Sequence, residues 1–145
     1  MTWFTPIVDN VSTLEFDAYD LDIKKVEDKR GRPLSFSVVN HSLYISFDRP
    51  LGQGEETTVV VTYRAAPRAG LYFVAPDHAY RSKPLQVWSQ GQDEDSRHWF
   101  PCYDSPNERA TSEMIVTVPD PLFALSNGKL VSITKNAKAR TKTFH

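Results

Sequence analysis

The segment Ser42–Arg64, S-L-Y-I-S-F-D-R-P-L-G-Q-G-E-E-T-T-V-V-V-T-Y-R, decides the fold class. Apolar side chains fall on Leu43, Ile45 and Phe47 and again on Val59, Val61 and Tyr63, the period of two that places alternate residues on one face of a strand. Between the two runs, Pro50-Leu51-Gly52-Gln53-Gly54 supplies turn chemistry. Outward from this segment the same period recurs in Leu14, Phe16 and Ala18, in Phe36 and Val38, and in Met114, Val116 and Val118. Arg30-Gly31-Arg32-Pro33, Asn40-His41 and Pro67-Arg68-Ala69-Gly70 separate the runs. Between Ala18 and Leu21 the apolar parity changes from even to odd, so a break is expected near Tyr19-Asp20. Asn127-Gly128, between Phe123-Ala124-Leu125 and Lys129-Leu130-Val131, predicts a tight hairpin because the pair favours positive φ at both positions. No segment sustains a helical stripe over three turns, although Asp93 to His98 has room for one helical or 3₁₀ turn. The expected architecture is all-β, a sandwich or layered sheet of mostly antiparallel strands. With no repeat, low-complexity tract or linker in view, residues 1–145 are read as one domain.

Composition bounds the function. The chain has 145 residues, 40% of them hydrophobic and 24% charged, as expected of a globular domain. Its 17 basic and 18 acidic side chains leave a formal net charge of -1, which is no electrostatic footprint for nucleic acid or an anionic membrane. One cysteine, Cys102, excludes an internal disulfide framework, and no apolar run reaches the roughly 18 residues of a membrane span. The amino-terminal residues lack the basic start and apolar core of a signal peptide, and the compartment cannot be read from them.

Chemistry concentrates between Leu85 and Met114. The four histidines, His41, His78, His98 and His145, include no pair at the spacing of H-E-x-x-H, and one thiol cannot build a cysteine-rich site, so no metal site is expected in this chain. G-x-S-x-G, P-loop and G-x-G-x-x-G motifs are absent from the sequence. Cys102 follows His98 by four residues, which admits a nucleophile, but a single Cys between Pro101 and an aromatic more often fills space in a core. Asp93-Glu94-Asp95 could hold a cation or act as an acid/base pair, and equally well could cap a short helical turn. Arg97 and Asp104 suit a bidentate ion pair that pins the loop, a scaffold role. Trp88 and Trp99, at strand positions, are read as core aromatics before pocket-lining ones.

Taken in order, Gly70-Leu71-Tyr72-Phe73, Gln90-Gly91-Gln92, Arg97-His98-Trp99-Phe100-Pro101-Cys102-Tyr103-Asp104-Ser105-Pro106 and Ala110-Thr111 carry a pattern. It resembles the G-L-Y, T-Q-x-E, A-R-R-x-F-P-C-F-D-E-P and K-A-T series in the amino-terminal domain of zinc aminopeptidases of the aminopeptidase N (membrane alanyl aminopeptidase) family, which are gluzincin metallopeptidases. The resemblance covers nearly the whole chain. It implies a saddle-like β-sandwich that precedes a thermolysin-like catalytic domain and closes one side of its substrate cleft. It also implies that this chain is an incomplete copy of the domain, that the parent binds zinc through ligands further along, and that the partners are that catalytic domain and peptide substrates.

In the family, the Gln and Glu of T-Q-x-E line the pocket for the first substrate side chain and help to hold the free α-amino group. The resemblance carries those roles to Gln90 and Gln92, with Gly91 between them allowing close backbone approach. Gln92 departs from the pattern: its amide still accepts a hydrogen bond, without the charge-assisted strength of a carboxylate. The leukotriene hydrolase branch is similar here, with two glutamines. On residue chemistry alone, glutamines at the end of a strand are usually solvated or bonded to backbone. Two other readings stand beside this one: a scaffold domain of a relative without the zinc motif, such as the one in the general transcription machinery, and a free-standing immunoglobulin-like module that rests on fold alone.

Overall fold

The computed structural model describes residues 1–107 and 109–145. Two compact units divide the chain, Met1–Glu108 and Arg109–His145.

In the first unit the period-two runs become strands: β1 (Thr2–Phe4), β2 (Val11–Asp17), β3 (Asp22–Asp28), β4 (Ser35–Val39), β5 (Ser42–Leu51), β6 (Thr57–Arg64), β7 (Leu71–Val74) and β8 (Gln86–Ser89). Every pairing is antiparallel. One sheet has the order β1-β6-β3, a second β2-β5-β4, and β7 and β8 form a two-stranded ribbon. The register explains the core. In the second sheet Leu14 faces Ile45 and Phe16 faces Leu43, while Phe36 and Val38 of β4 take the same two β5 positions from the other side. In the first sheet Val26 lies opposite Val61 and Ile23 opposite Tyr63.

The two sheets enclose Phe16, Ala18, Leu21, Val26, Leu43, Ile45 and Val59, with Phe4, Leu14, Ile23, Phe47, Val61 and Tyr63 packed around them. Leu43, Ile45 and Val59 are fully buried. Each such side chain contributes about 1.5–3 kcal/mol of transfer free energy. Phe4 of β1 meets Phe47 of β5 at 6.0 Å between ring centroids, so the contact crosses from one sheet to the other. A sandwich of antiparallel strands follows.

The parity change is resolved by a turn and a bulge. β2 ends at Asp17, Asp20 takes φ +55°, and β3 starts at Asp22. Within β3 the register shifts between Ile23 and Lys25, which returns the inward side from odd to even and lets Val26 point into the core.

The second unit holds β9 (Val116–Pro119), β10 (Ile133–Asn136) and β11 (Thr141–Phe144), in the order β10-β11-β9. The expected hairpin at Asn127-Gly128 does not form. Gly128 takes φ +97°, but Asn127 has no positive φ, and a type I′ turn needs both. Its apolar flanks lie open, Phe123 at 72%, Leu125 at 88% and Val131 at 68% exposure, so no burial rewards pairing them. The hairpin instead joins β10 to β11 through residues 137–140, where Arg140 takes φ +51° and the Asn136 side chain accepts the Ala139 N–H at 3.0 Å.

Candidate functional site

The ribbon sets up the segment that carries the glutamines. Leu71 pairs with Ser89 and Tyr72 with Trp88, and the Gln90 N–H donates to the Gly70 carbonyl at 2.9 Å, so the ladder runs one step past β8. Gly91 then accepts from the Asp95 N–H at 3.1 Å, closing a turn that leads into the 3₁₀ turn Ser96–His98. Gln90 and Gln92 are both exposed, and Gly91 between them is half-buried.

Two glycines admit this turn. Gly70 has φ +75°, and a side chain there would run into the Asp95 carbonyl oxygen and come within 3.0 Å of the Trp99 ring. Gly91 lacks a left-handed φ, and a side chain there would strike the Ser96 hydroxyl. The sequence marked Gly70 as part of a turn. It gave no sign that the Asp95 backbone passes so close, because that proximity joins residues distant in the chain.

Arg97 ties the turn to the sandwich. Its backbone N–H donates to Asp104 Oδ2 at 2.9 Å, its Nε reaches the same oxygen at 3.3 Å, and its guanidinium donates to the Asp104 carbonyl at 3.0 Å. The contact therefore shares one carboxylate oxygen and a backbone carbonyl, and the two-pronged pairing with the carboxylate is not made. Arg97 also faces Asp17 at 3.4 Å and Glu94 at 3.0 Å. Partial burial works against the Arg97 charge, and Asp104, Asp17 and Glu94 outweigh it, so its pKa is raised.

Cys102 makes a bridge with Asp17 of β2 and is half-buried. Burial first, then the carboxylates of Asp104 and Asp17, push its thiol up to about 12 against the pull of Arg97. A thiol held protonated is no nucleophile at neutral pH. Of the acidic run, Asp95 is the residue preceding the 3₁₀ turn and makes no side-chain cap; Glu94 pairs with Arg97 instead. The capping expectation fails because Asp95 itself takes helical angles, φ -92° and ψ -7°, where a capping residue has an extended backbone. Trp88 is not a core residue: it is 47% exposed and stacks on Tyr72 at 4.5 Å, on a ribbon too narrow to cover it. Trp99 is half-buried and meets Phe100 edge-on at 4.5 Å.

Two of the four histidines, His41 and His98, lie in this region, on either side of Tyr19. Tyr19 stacks on His41 at 3.7 Å and tilts against His98 at 4.7 Å, and its N–H donates to the Arg97 carbonyl at 3.0 Å. Among the described residues no group of three or more His, Cys, Asp or Glu is placed to hold a metal ion. The zinc that the resemblance implies for a parent enzyme thus has no ligand set among them.

The sequence profile of the Peptidase M1 N-terminal domain family matches residues 3–145. The chain belongs to this family. Among curated relatives of this M1 N-terminal domain, transcription initiation factor TFIID subunit 2 of Gallus gallus is 38% identical over 81 residues, 54% of this chain and 7% of that protein. Aminopeptidase B of Homo sapiens is 31% identical over 104 residues, 68% of this chain and 16% of that protein. The chain therefore spans well under a fifth of the curated relatives it matches. The crystal structure of an M1 zinc metallopeptidase from Deinococcus radiodurans superposes with a TM-score of 0.81 at 19% identity, over 98% of this chain and 32% of that one. At that identity the likeness is one of fold, and it agrees with an M1 N-terminal β-domain.

Proposed function

We propose that this M1 N-terminal domain forms one wall of the substrate cleft of a zinc-dependent aminopeptidase, with Gln90 and Gln92 positioning the amino-terminal residue of the peptide and Gly91 giving it room. The observation that carries the reading is the exposure of both glutamines at the end of a ribbon whose backbone is held by Gly70 and the 3₁₀ turn. Amide groups so placed can accept from a substrate α-ammonium and donate to a peptide carbonyl. The domain supplies position and leaves bond cleavage to a catalytic domain of the same parent chain. Arg97, Asp104 and Cys102 serve as the scaffold beneath the rim.

A second reading is favoured by one finding, the 38% identity to a TFIID subunit: the same face is a protein-interaction surface in a non-catalytic relative. One experiment separates them. In the full-length protein, Gln90→Ala and Gln92→Ala are expected to lower kcat/KM on aminoacyl amides about tenfold, since misplacement near 1 Å costs on the order of a hundredfold and loss of one hydrogen bond costs less. A full-length protein with no aminopeptidase activity, or variants that match the parent on every aminoacyl substrate, would refute the cleft reading.

A further inference from the structure

We infer that Trp88 is a specificity-determining residue that favours peptides beginning with a bulky apolar or aromatic residue; the inference rests on the reading of Gln90 and Gln92 given above. Side chains alternate along a strand, and the bond from the Gln90 N–H to the Gly70 carbonyl carries the ladder one step beyond β8, so Trp88 and Gln90 share one face of the ribbon. Tyr72, the cross-strand partner of Trp88, stands on that face too and stacks on the indole at 4.5 Å with 22° between ring planes. Tyr72 covers one side of the ring, and Trp88 is still 47% exposed. Among the described residues β8 pairs with β7 alone, so no further strand shields it.

The surroundings of Gln90 leave one direction open to a substrate side chain. Across the ribbon, the Asp95 carbonyl and the Trp99 ring fill the space beside Gly70. Forward along the chain, Gln92 is followed by Asp93, Glu94 and Asp95, whose carboxylates suit an α-ammonium and repel an acidic side chain. Backward lies Trp88, about 7 Å away along the strand. No residue from Gly70 to Val74 or from Gln86 to Gln90 carries a charge. A peptide whose amino group lies at Gln92 therefore sets its first side chain against a neutral aromatic surface. A methyl group falls short of that surface, whereas a leucyl or phenylalanyl side chain reaches it and buries apolar area against it.

The test compares kcat/KM on a phenylalanyl and an alanyl amide in the full-length protein and its Trp88→Ala, Trp88→Thr and Trp88→Phe variants, beside Gln90→Ala and Gln92→Ala. Trp88→Ala is expected to lower kcat/KM on the phenylalanyl amide about tenfold, the lower end of the roughly 10–200-fold that one methylene is worth in an apolar pocket, and on the alanyl amide by less than about twofold. Trp88→Thr keeps a strand-favouring side chain, so it reads the same loss with the ribbon intact. Trp88→Phe restores a ring and is expected to recover most of the preference. An unchanged ratio of phenylalanyl to alanyl turnover in Trp88→Ala and Trp88→Thr, whether through equal losses on both amides or through none, overturns the inference. If Gln90→Ala and Gln92→Ala lose activity in that case, only the role of Trp88 falls. If both glutamine variants are fully active, the cleft reading fails, and this inference fails with it.

Discussion

Asp17 and Cys102 exchange both of their backbone hydrogen bonds, the Asp17 N–H donating to the Cys102 carbonyl at 2.7 Å and the Cys102 N–H to the Asp17 carbonyl at 3.1 Å. The Asp17 side chain then accepts the Asp104 N–H at 3.0 Å and faces Arg97 at 3.4 Å. The end of β2 is thereby joined to the loop behind the glutamine rim. Backbone and charge act on the same joint.

Arg97 should prove irreplaceable by lysine. Three carboxylates and one backbone carbonyl surround its guanidinium, and a single ammonium cannot meet them together. Arg97→Lys is expected to lower unfolding stability by about 1–2 kcal/mol and Arg97→Ala by about 2–3 kcal/mol, since each bond to a charged group is worth roughly 1.5–3 kcal/mol and neighbours recover part of it. Urea denaturation gives the values. A lysine variant with an unchanged midpoint would show that charge alone suffices.

The Cys102 thiol should resist alkylation in the native protein. Burial and the carboxylates of Asp104 and Asp17 push it up to about 12, from an ordinary value of 9.0. At pH 8 modification by iodoacetamide is expected to be at least about tenfold slower in the folded protein than in denaturant, because only the thiolate reacts. The sign of the pH dependence follows. Between about pH 9 and about 12 the unfolded chain has lost the proton that the folded chain still holds, so stability falls as pH rises through that window and is unaffected by this group below it. Cys102→Ala should lessen the alkaline decline without removing it, because burial also raises the Tyr63 hydroxyl.

Gly70 and Gly31 share a left-handed backbone, at φ +75° and +77°, and differ in their surroundings. Nothing stands within 4 Å of the place a Gly31 side chain would occupy, whereas Gly70 faces the Asp95 carbonyl. Gly31→Ala is expected to cost about 1–2 kcal/mol, the left-handed penalty alone. Gly70→Ala adds a steric cost of about 1–3 kcal/mol. Equal losses in thermal or urea unfolding would mean that the turn yields to the methyl group.

Sequence periodicity revealed most of the sandwich, because Leu43 and Ile45 are buried on one side and their neighbours are not, the condition under which alternation is written into a strand. The turn at Tyr19-Asp20 was legible for the same reason. Asn127-Gly128 misled because local turn preference counts only when the flanking residues gain by pairing. The β10–β11 turn has no glycine, and its positive φ falls on Arg140, so it left no mark. At the rim, Gln90, Gly91 and Gln92 are singled out by the family resemblance alone, since residue chemistry by itself favours solvated or backbone-bonded glutamines. The contacts of Gly70 with Asp95 and of Gly91 with Ser96 exist only once the turn has folded back, and no spacing encodes them.

The half-exposed indole of Trp88, stacked on Tyr72, stands two residues before Gln90. Indole emission moves to shorter wavelength when water leaves the ring. The end of the ribbon thus carries its own optical reporter: a peptide or protein settling beside the glutamines will dry Trp88 and shift its spectrum, with no label attached, and a Trp88→Phe copy will isolate that signal from Trp3 and Trp99.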